Sequence, residues 1–189
     1  MRPIEIKPTS LDRTIANAIA ARTDPPAETL AQLLTWGADE KVLLVAAGAA
    51  WVYSAWQPRL RPVTTHFFAL SLVSAILPHL LKRGVDQTRP DRLTVRGHWR
   101  GVPLSGRPRD AFPSGHAVHM GALASAAGLL PKRSRGPLRL LALTLSATRV
   151  VLLAHWASDV VTGFAIGALI ERALRPLTLR AREREDLGR

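Results

Sequence analysis

His155 and Asp159 stand four residues apart in the run TRVVLLAHWASD. On one helical turn that spacing lets the carboxylate reach one imidazole nitrogen, which fixes the tautomer and leaves the other nitrogen nucleophilic. Arg149, in the same run, lies in an otherwise apolar stretch, where a retained charge is a functional candidate by default. A second imidazole, His116, closes the run PSGH, Pro113 to His116. Ser114, Gly115 and the amides after them, at a helix start, form an anion site, and His116 is placed to act as a general acid. Lys82, Arg89 and Pro90 share the run KRGVDQTRP. Lys82, Arg89 and Arg149 give three permanent donors for an oxyanion: two planar forks that match phosphate and one point charge. Each piece alone has a plain structural reading, as a solvated pair, a capped turn or flanking charge. Their conjunction points to phosphate chemistry.

The elements that must carry these residues are apolar blocks. They run Val42–Trp56, Val63–Leu81, Gly115–Leu130, Leu138–Trp156 with Arg139 and Arg149 inside it, and Val160–Ile170. Runs near 20 residues are membrane-span candidates, because a helix rises about 1.5 Å per residue across a hydrocarbon core of roughly 30 Å. Only the second block, at 19 residues, meets that length cleanly. The fold expected is an all-α, integral-membrane bundle of five to six core helices with short amphipathic N-terminal helices. Asp39 and Glu40 suit the start of the first block and Gln57-Pro58 its end. Pro62 and Pro137 are expected to open the second and fourth helices, and Pro78 to kink or stop the second. Ser114 and Ser158 read as N-caps. No strand pattern stands out. Alternating helix direction then brings all three polar runs to one membrane face.

Residues 1–41 form a separate N-terminal region, residues 42–175 the bundle and residues 176–189 a charged tail. Met1 to Ser10 lacks the apolar segment of a secretory leader. Leu11, Ile15 and Ile19 mark a short amphipathic helix to about Arg22, and Asp24-Pro25-Pro26 opens another ending near Gly37. Both could lie on the membrane surface or pack on the bundle. The formal net charge of +12 calls for an anionic partner, and the absence of cysteine excludes disulfides, thiolate–zinc sites and a Cys nucleophile. The basic stretch from Lys82 to Pro113 holds Arg83, Arg92, Arg96, Arg100, Arg107 and Arg109, but Trp99 is its sole aromatic before Phe112. Nucleic acid, which needs interleaved stacking groups, is not the expected partner.

Taken in order, Lys82–Arg89–Pro90, Pro113-Ser114-Gly115-His116 and Arg149–His155–Asp159 resemble the three motifs of the type-2 phosphatidic acid phosphatase superfamily, which includes integral-membrane lipid phosphatases. Thr148 stands where that family usually has Ser. The match covers Lys82 to Asp159, and one spanning helix of the usual six is missing or replaced by the N-terminal segment. The resemblance implies a phosphohistidine at His155, oriented by Asp159, with His116 as acid and then base. It implies phosphate binding by Lys82, Arg89, Ser114, Gly115 and Arg149, with no metal or other cofactor. The substrate would be a lipid phosphate or diphosphate, such as phosphatidic acid, phosphatidylglycerol phosphate, undecaprenyl diphosphate or a lipid A phosphate. The partners expected are this substrate and membrane lipids. A vanadate-dependent haloperoxidase-like enzyme and a non-catalytic binder of anionic lipid are the alternatives. Arg59, Arg61, Lys132, Arg133, Arg135, Arg139 and the tail lie opposite the motifs. Against the charges on the motif side the count is nearly balanced; with the motif-side charges that substrate explains discounted, the tail is expected in the cytoplasm and the site on the extracytoplasmic side, and the resemblance implies a bacterial inner-membrane protein. His79 is expected at the site mouth, and His119 as a packing residue.

Overall fold

Apolar blocks become helices wherever a capping group or proline starts them. In the computed structural model, which describes residues 3–22, 25–90 and 109–179, seven α-helices follow in order. They are α1 (Ser10–Arg22), α2 (Pro25–Thr35), α3 (Glu40–Tyr53), α4 (Arg61–Leu81), α5 (Gly115–Ala126), α6 (Lys132–Val151) and α7 (Ala157–Thr178). Asp24, Arg92, Arg96, His98, Trp99, Arg100, Arg107 and the end of the tail lie outside the described residues.

α5 is the axis of the bundle. It is rich in Gly and Ala, and most of its side chains are buried. Met120 and Ala124 pack on Ala142 and Leu145 of α6, while Val118, Ala122 and Ala126 pack on Leu70 of α4 and Ile170 of α7. Glycine lets α5 and α7 approach closely. A Cβ at Gly167 would run into the Val118 carbonyl, one at Gly121 into the Phe164 carbonyl, and one at Gly163 would lie 2.7 Å from the Ser114 oxygen. Small residues at such a crossing let backbones pack directly.

The outer face is apolar. Val45 and Val52 of α3, Leu72 and Ile76 of α4, Leu140 and Leu143 of α6, and Val161 and Leu169 of α7 are all exposed. A belt of that kind belongs against lipid. Among the described residues one helical segment, Pro58–Leu81, is long and apolar enough to cross a membrane by composition, with mean hydropathy 1.5. α3, at 14 residues, and α5, at 12, are shorter than a roughly 30 Å core requires. α6 opens on Lys132, Arg133 and Arg135, and α7 carries Glu171, Arg172 and Arg175.

Several local expectations hold. Asp39 caps α3 by accepting from the Lys41 and Val42 amides, and Pro62 sits in the first turn of α4. Others need correction. Pro137 lies inside α6, which starts five residues earlier; α4, by contrast, does stop within a turn of Pro78, at Leu81. The N-cap of α7 is Trp156; Ser158 is already helical. A two-residue strand, Ile4–Glu5, pairs parallel with Val85–Asp86, although no strand was expected. In α1 the buried face is Asp12 and Ala16, with Ile19 and Ala20 packed beside them, and Leu11 points outward. The helix is rotated from the stripe its aliphatic residues predict because Asp12 finds partners inside. Both N-terminal helices pack on the bundle: α1 on the Leu153–Trp156 turn, and α2, through Ala31, on Leu152 and Ala154.

Candidate active site

The turn between α6 and α7 holds His155. α6 ends at Val151 and is capped by Leu152, after which Leu153 adopts φ 53°, the left-handed region that glycine usually fills. The Leu153 amide returns to the Val150 carbonyl and the Ala154 amide to the Arg149 carbonyl, the paired bonds of a Schellman turn. Leu153 accepts this backbone because its side chain is buried with Ala16, Ala111 and Trp156.

His155 is 3% exposed. Its Nδ1 lies 2.6 Å from the Ala111 carbonyl oxygen. A carbonyl only accepts, so Nδ1 carries the proton and Nε2 keeps its lone pair. The carboxylate of Asp159 is 3.9 Å from Nδ1 and instead accepts from the Trp156 amide at 2.9 Å. The expected His155–Asp159 hydrogen bond is therefore replaced. That bond assumed both residues on one helix, whereas His155 precedes the cap of α7. Burial, then the charges of Arg89, Arg149 and Lys82, push the His155 imidazole well below the usual histidine range.

The segment after α4 is sewn to the one before α5. The Gln87 amide donates to the Arg109 carbonyl and the Ala111 amide to the Gln87 carbonyl. This pairing sets Ala111 in front of His155. Trp156 Nε1 donates to the Thr88 carbonyl at 2.8 Å, and Arg89 Nη1 to the Ala154 carbonyl at 3.1 Å. The Phe112–Pro113 peptide is cis, and Ser114 follows as the N-cap of α5. Its amide lies 3.4 Å from the Asp159 carbonyl, so the starts of α5 and α7 meet.

The sequence-predicted residues thus converge. Lys82 follows α4, Arg89 lies in the paired segment, Ser114, Gly115 and His116 open α5, and Arg149 ends α6. The charges of Arg149, Lys82 and Arg89 all bear on His116. Ser114 Oγ and Arg149 Nε are buried without a hydrogen-bond partner among the described residues. His119 is buried, with Nδ1 3.4 Å from the Gly115 carbonyl. His79 pairs with Glu40 at 3.1 Å and, with Lys82, Arg83 and Arg109, lines a mouth of about 830 Å³.

Four contributors were not read from sequence. Asp110 bridges two of the cations: Oδ1 accepts from Arg89 at 2.8 Å and Oδ2 stands 3.8 Å from Lys82 Nζ. Burial, ahead of the opposing charge of Asp110, lowers the Lys82 ammonium below its ordinary range. Thr35 of α2 accepts from Arg149 Nη1 at 3.1 Å. Asp12 of α1, 2% exposed, accepts from the Ser158 amide at 2.9 Å and hydroxyl at 2.8 Å, one residue before Asp159. The glycine pair Gly163 and Gly167 had a visible signal, the G-x-x-x-G spacing of close helix crossings. Asp12 had one too, the Thr9-x-x-Asp12 capping box, which announces the start of α1 but not the contact with Ser158. Asp110 and Thr35 lack any local signature.

The PAP2 superfamily profile matches residues 63–183. A lipid A 1-phosphatase of Rhizobium johnstonii is 31% identical over 169 residues, 79% of this chain and 67% of the relative. A lipid A 1-phosphatase of Rhizobium etli is 37% identical over 106 residues, 56% of this chain and 46% of the relative. The chain thus spans about two thirds of one relative and under half of the other. Among solved structures, that of Aquifex aeolicus LpxE aligns with TM-score 0.70 at 18% identity, over 90% of this chain and 98% of that one. The transmembrane PAP2-type phosphatidylglycerolphosphate phosphatase of Bacillus subtilis aligns with TM-score 0.62 at 22% identity, over 89% and 84%. These two likenesses speak to the fold. With the profile running across both histidines and most of the bundle, and phosphatases among its relatives, this helical membrane protein belongs to the PAP2 superfamily of lipid phosphatases.

Proposed function

We propose that the chain hydrolyses the phosphomonoester of a membrane glycolipid, of the lipid A 1-phosphate kind, through a phosphohistidine and without a metal. The observation that carries the mechanism is the short contact from His155 Nδ1 to the Ala111 carbonyl, which leaves Nε2 unprotonated for attack. Nε2 forms a bond to phosphorus as the bond to the leaving lipid oxygen breaks, and His116 gives that oxygen its proton. Water then attacks phosphorus, His116 takes the water proton, and the electron pair of the N–P bond returns to the imidazole. Lys82, Arg89, Arg149, Ser114 Oγ and the Gly115 amide hold the phosphoryl oxygens as charge shifts. The unpartnered donors of Ser114 and Arg149 support this role. Asp159 fixes the His155 turn through the Trp156 amide.

The lipid A preference rests on the two Rhizobium relatives and on the wide polar mouth, which has room for a sugar headgroup. The site faces the extracytoplasmic side of a bacterial inner membrane; the arginines and lysines at the α5–α6 end support that orientation. The test is a panel of purified lipid phosphates assayed in excess EDTA: lipid A 1-phosphate, phosphatidic acid, phosphatidylglycerol phosphate and undecaprenyl diphosphate. Release of phosphate from lipid A fastest, with acid-labile label on His155, is expected. A strict Mg²⁺ requirement refutes the mechanism, and equal rates on all four refute the substrate assignment.

A further inference from the structure

A second basic centre lies at the opposite end of the bundle, about 20 Å along α7 from Asp159 to Arg172 at 1.5 Å per residue. There a cavity of about 460 Å³ opens between α5, α6 and α7, and Arg139, Arg172 and Arg175 line it. Two guanidiniums converge over the backbone of Gly128. The point a Cβ would occupy there is 3.6 Å from Arg175 Nη2 and 3.9 Å from Arg139 Nη2. One carboxylate is near. Glu171, fully buried, accepts from Arg175 at 2.7 Å and from Ser125 Oγ at 2.6 Å, and so neutralises Arg175 alone. Arg139 donates from Nε to the Ala124 carbonyl, and among the described residues neither it nor Arg172 has an acidic partner.

Arg139 and Arg172 are both exposed, but Arg139 is tied to the bundle by its bond to the Ala124 carbonyl at 3.3 Å, at the end of α5. Like charges held together without an anion repel, so the cluster is complementary to a group with several anionic oxygens. The rest of the wall decides what carries that group. Leu143, exposed on the outer face, lies one turn along α6 from Arg139, and Phe164, partly buried against the core, two turns before Arg172 on α7, so the cavity passes from guanidiniums to apolar side chains. That gradient matches an amphiphile.

We infer that this cavity binds the phosphate headgroup of an anionic phospholipid from the leaflet opposite the active site, with its first acyl segment along Leu143 and Phe164. The shared ligand chemistry is a phosphate; the lipid is favoured over free phosphate by the apolar wall. The inference is independent of the substrate named above, because a phosphodiester headgroup is no substrate for a phosphomonoesterase.

The full chain is embedded in nanodiscs of phosphatidylcholine mixed with phosphatidylglycerol, released, and weighed by native mass spectrometry. Wild type should retain phosphatidylglycerol in preference to phosphatidylcholine. The double variant Arg139→Gln/Arg172→Gln should lose that preference by about tenfold, the loss of about 1.4 kcal/mol. Arg172→Gln alone touches no bonded group and should lose part of it. Leu143→Trp, which fills the apolar wall and leaves the charges, should also reduce retention. All variants should melt like wild type in pure phosphatidylcholine and hydrolyse lipid phosphate at the wild-type rate. Equal retention of both lipids by wild type, or unchanged retention in the double variant with Leu143→Trp also silent, overturns the inference. Displacement of the lipid by excess inorganic phosphate alone assigns the site to a soluble anion and overturns it as well.

Discussion

Replacing Asp12 by alanine removes a brace that reaches the His155 turn from the N-terminal helix α1. The carboxylate accepts from the Thr9 amide at 3.0 Å and hydroxyl at 2.8 Å, and from the Ser158 amide at 2.9 Å and hydroxyl at 2.8 Å. Hydrogen bonds to a charged group contribute about 1.5–3 kcal/mol each, and a buried donor left unpaired costs about 1–3 kcal/mol. The hydroxyls can turn to other partners; the two amides cannot. Loss of their bonds therefore costs about 3–6 kcal/mol, divided between the Thr9 cap of α1 and the contact where α1 meets the turn. If half of that is expressed as displacement of His155, turnover falls by roughly 10- to 100-fold, at 1.36 kcal/mol per decade. Asp12→Asn keeps one acceptor for the Ser158 amide and should fall less. The assay pairs kcat and KM on a lipid phosphate with hydrogen exchange at residues 152–158. A fall in kcat with KM nearly constant, together with faster exchange in the turn, is expected. The pH behaviour gives an independent reading. Burial raises the Asp12 carboxyl, but hydrogen bonds from Ser158 and Thr9 outweigh it and hold it below the usual carboxylate range. A folded value below the unfolded one stabilises above the unfolded range and is lost as pH falls through the folded value. Protection in the turn, exchange taken relative to the intrinsic rate at each pH, should thus be flat from neutral pH down to the carboxylate range and fall below it, and Asp12→Asn should lose that fall. Wild-type kcat and exchange in Asp12→Ala would refute the brace.

Gly167→Ala should lower the melting temperature strongly, by about 1–3 kcal/mol of overpacking, because the methyl meets the Val118 carbonyl; thermal unfolding in detergent checks it. Gly163→Ala pushes on the Ser114 carbonyl and should reduce kcat more than stability, since His116 rides on that turn; an unchanged kcat contradicts the linkage. At Leu153 the usual ranking should invert: Leu153→Gly relieves the φ of 53° and should be about 1 kcal/mol less destabilised than Leu153→Ala, although both lose the buried side chain. The buried, cation-flanked His155 should stay neutral well below ordinary histidine values. Single-turnover attack should accordingly show no His155 protonation limb between neutral pH and about pH 5.5, and a tenfold loss per pH unit there would refute it.

The candidate site was legible in the sequence as residue types in a fixed order. Lys82, Arg89, Ser114, His116, Arg149, His155 and Asp159 sit in three short runs, and alternating apolar helices oblige those runs to meet. The helices themselves were legible from their apolar length, and Asp39 from its capping chemistry. Helix boundaries were not. Pro137 fits an opening turn equally well with a basic turn before it, and α6 takes in Lys132, Arg133 and Arg135. Tertiary structure alone decided what holds His155. The i, i+4 rule presumes continuous helix, but the Schellman turn at Leu153 breaks it, so a backbone carbonyl replaces the carboxylate and Asp159 turns to the Trp156 amide. The same holds for Asp12, Thr35 and Asp110, whose partners lie 146, 114 and 21 residues away. Local sequence carries propensity and periodicity; a partner so distant is chosen by which surfaces the packed helices bring together.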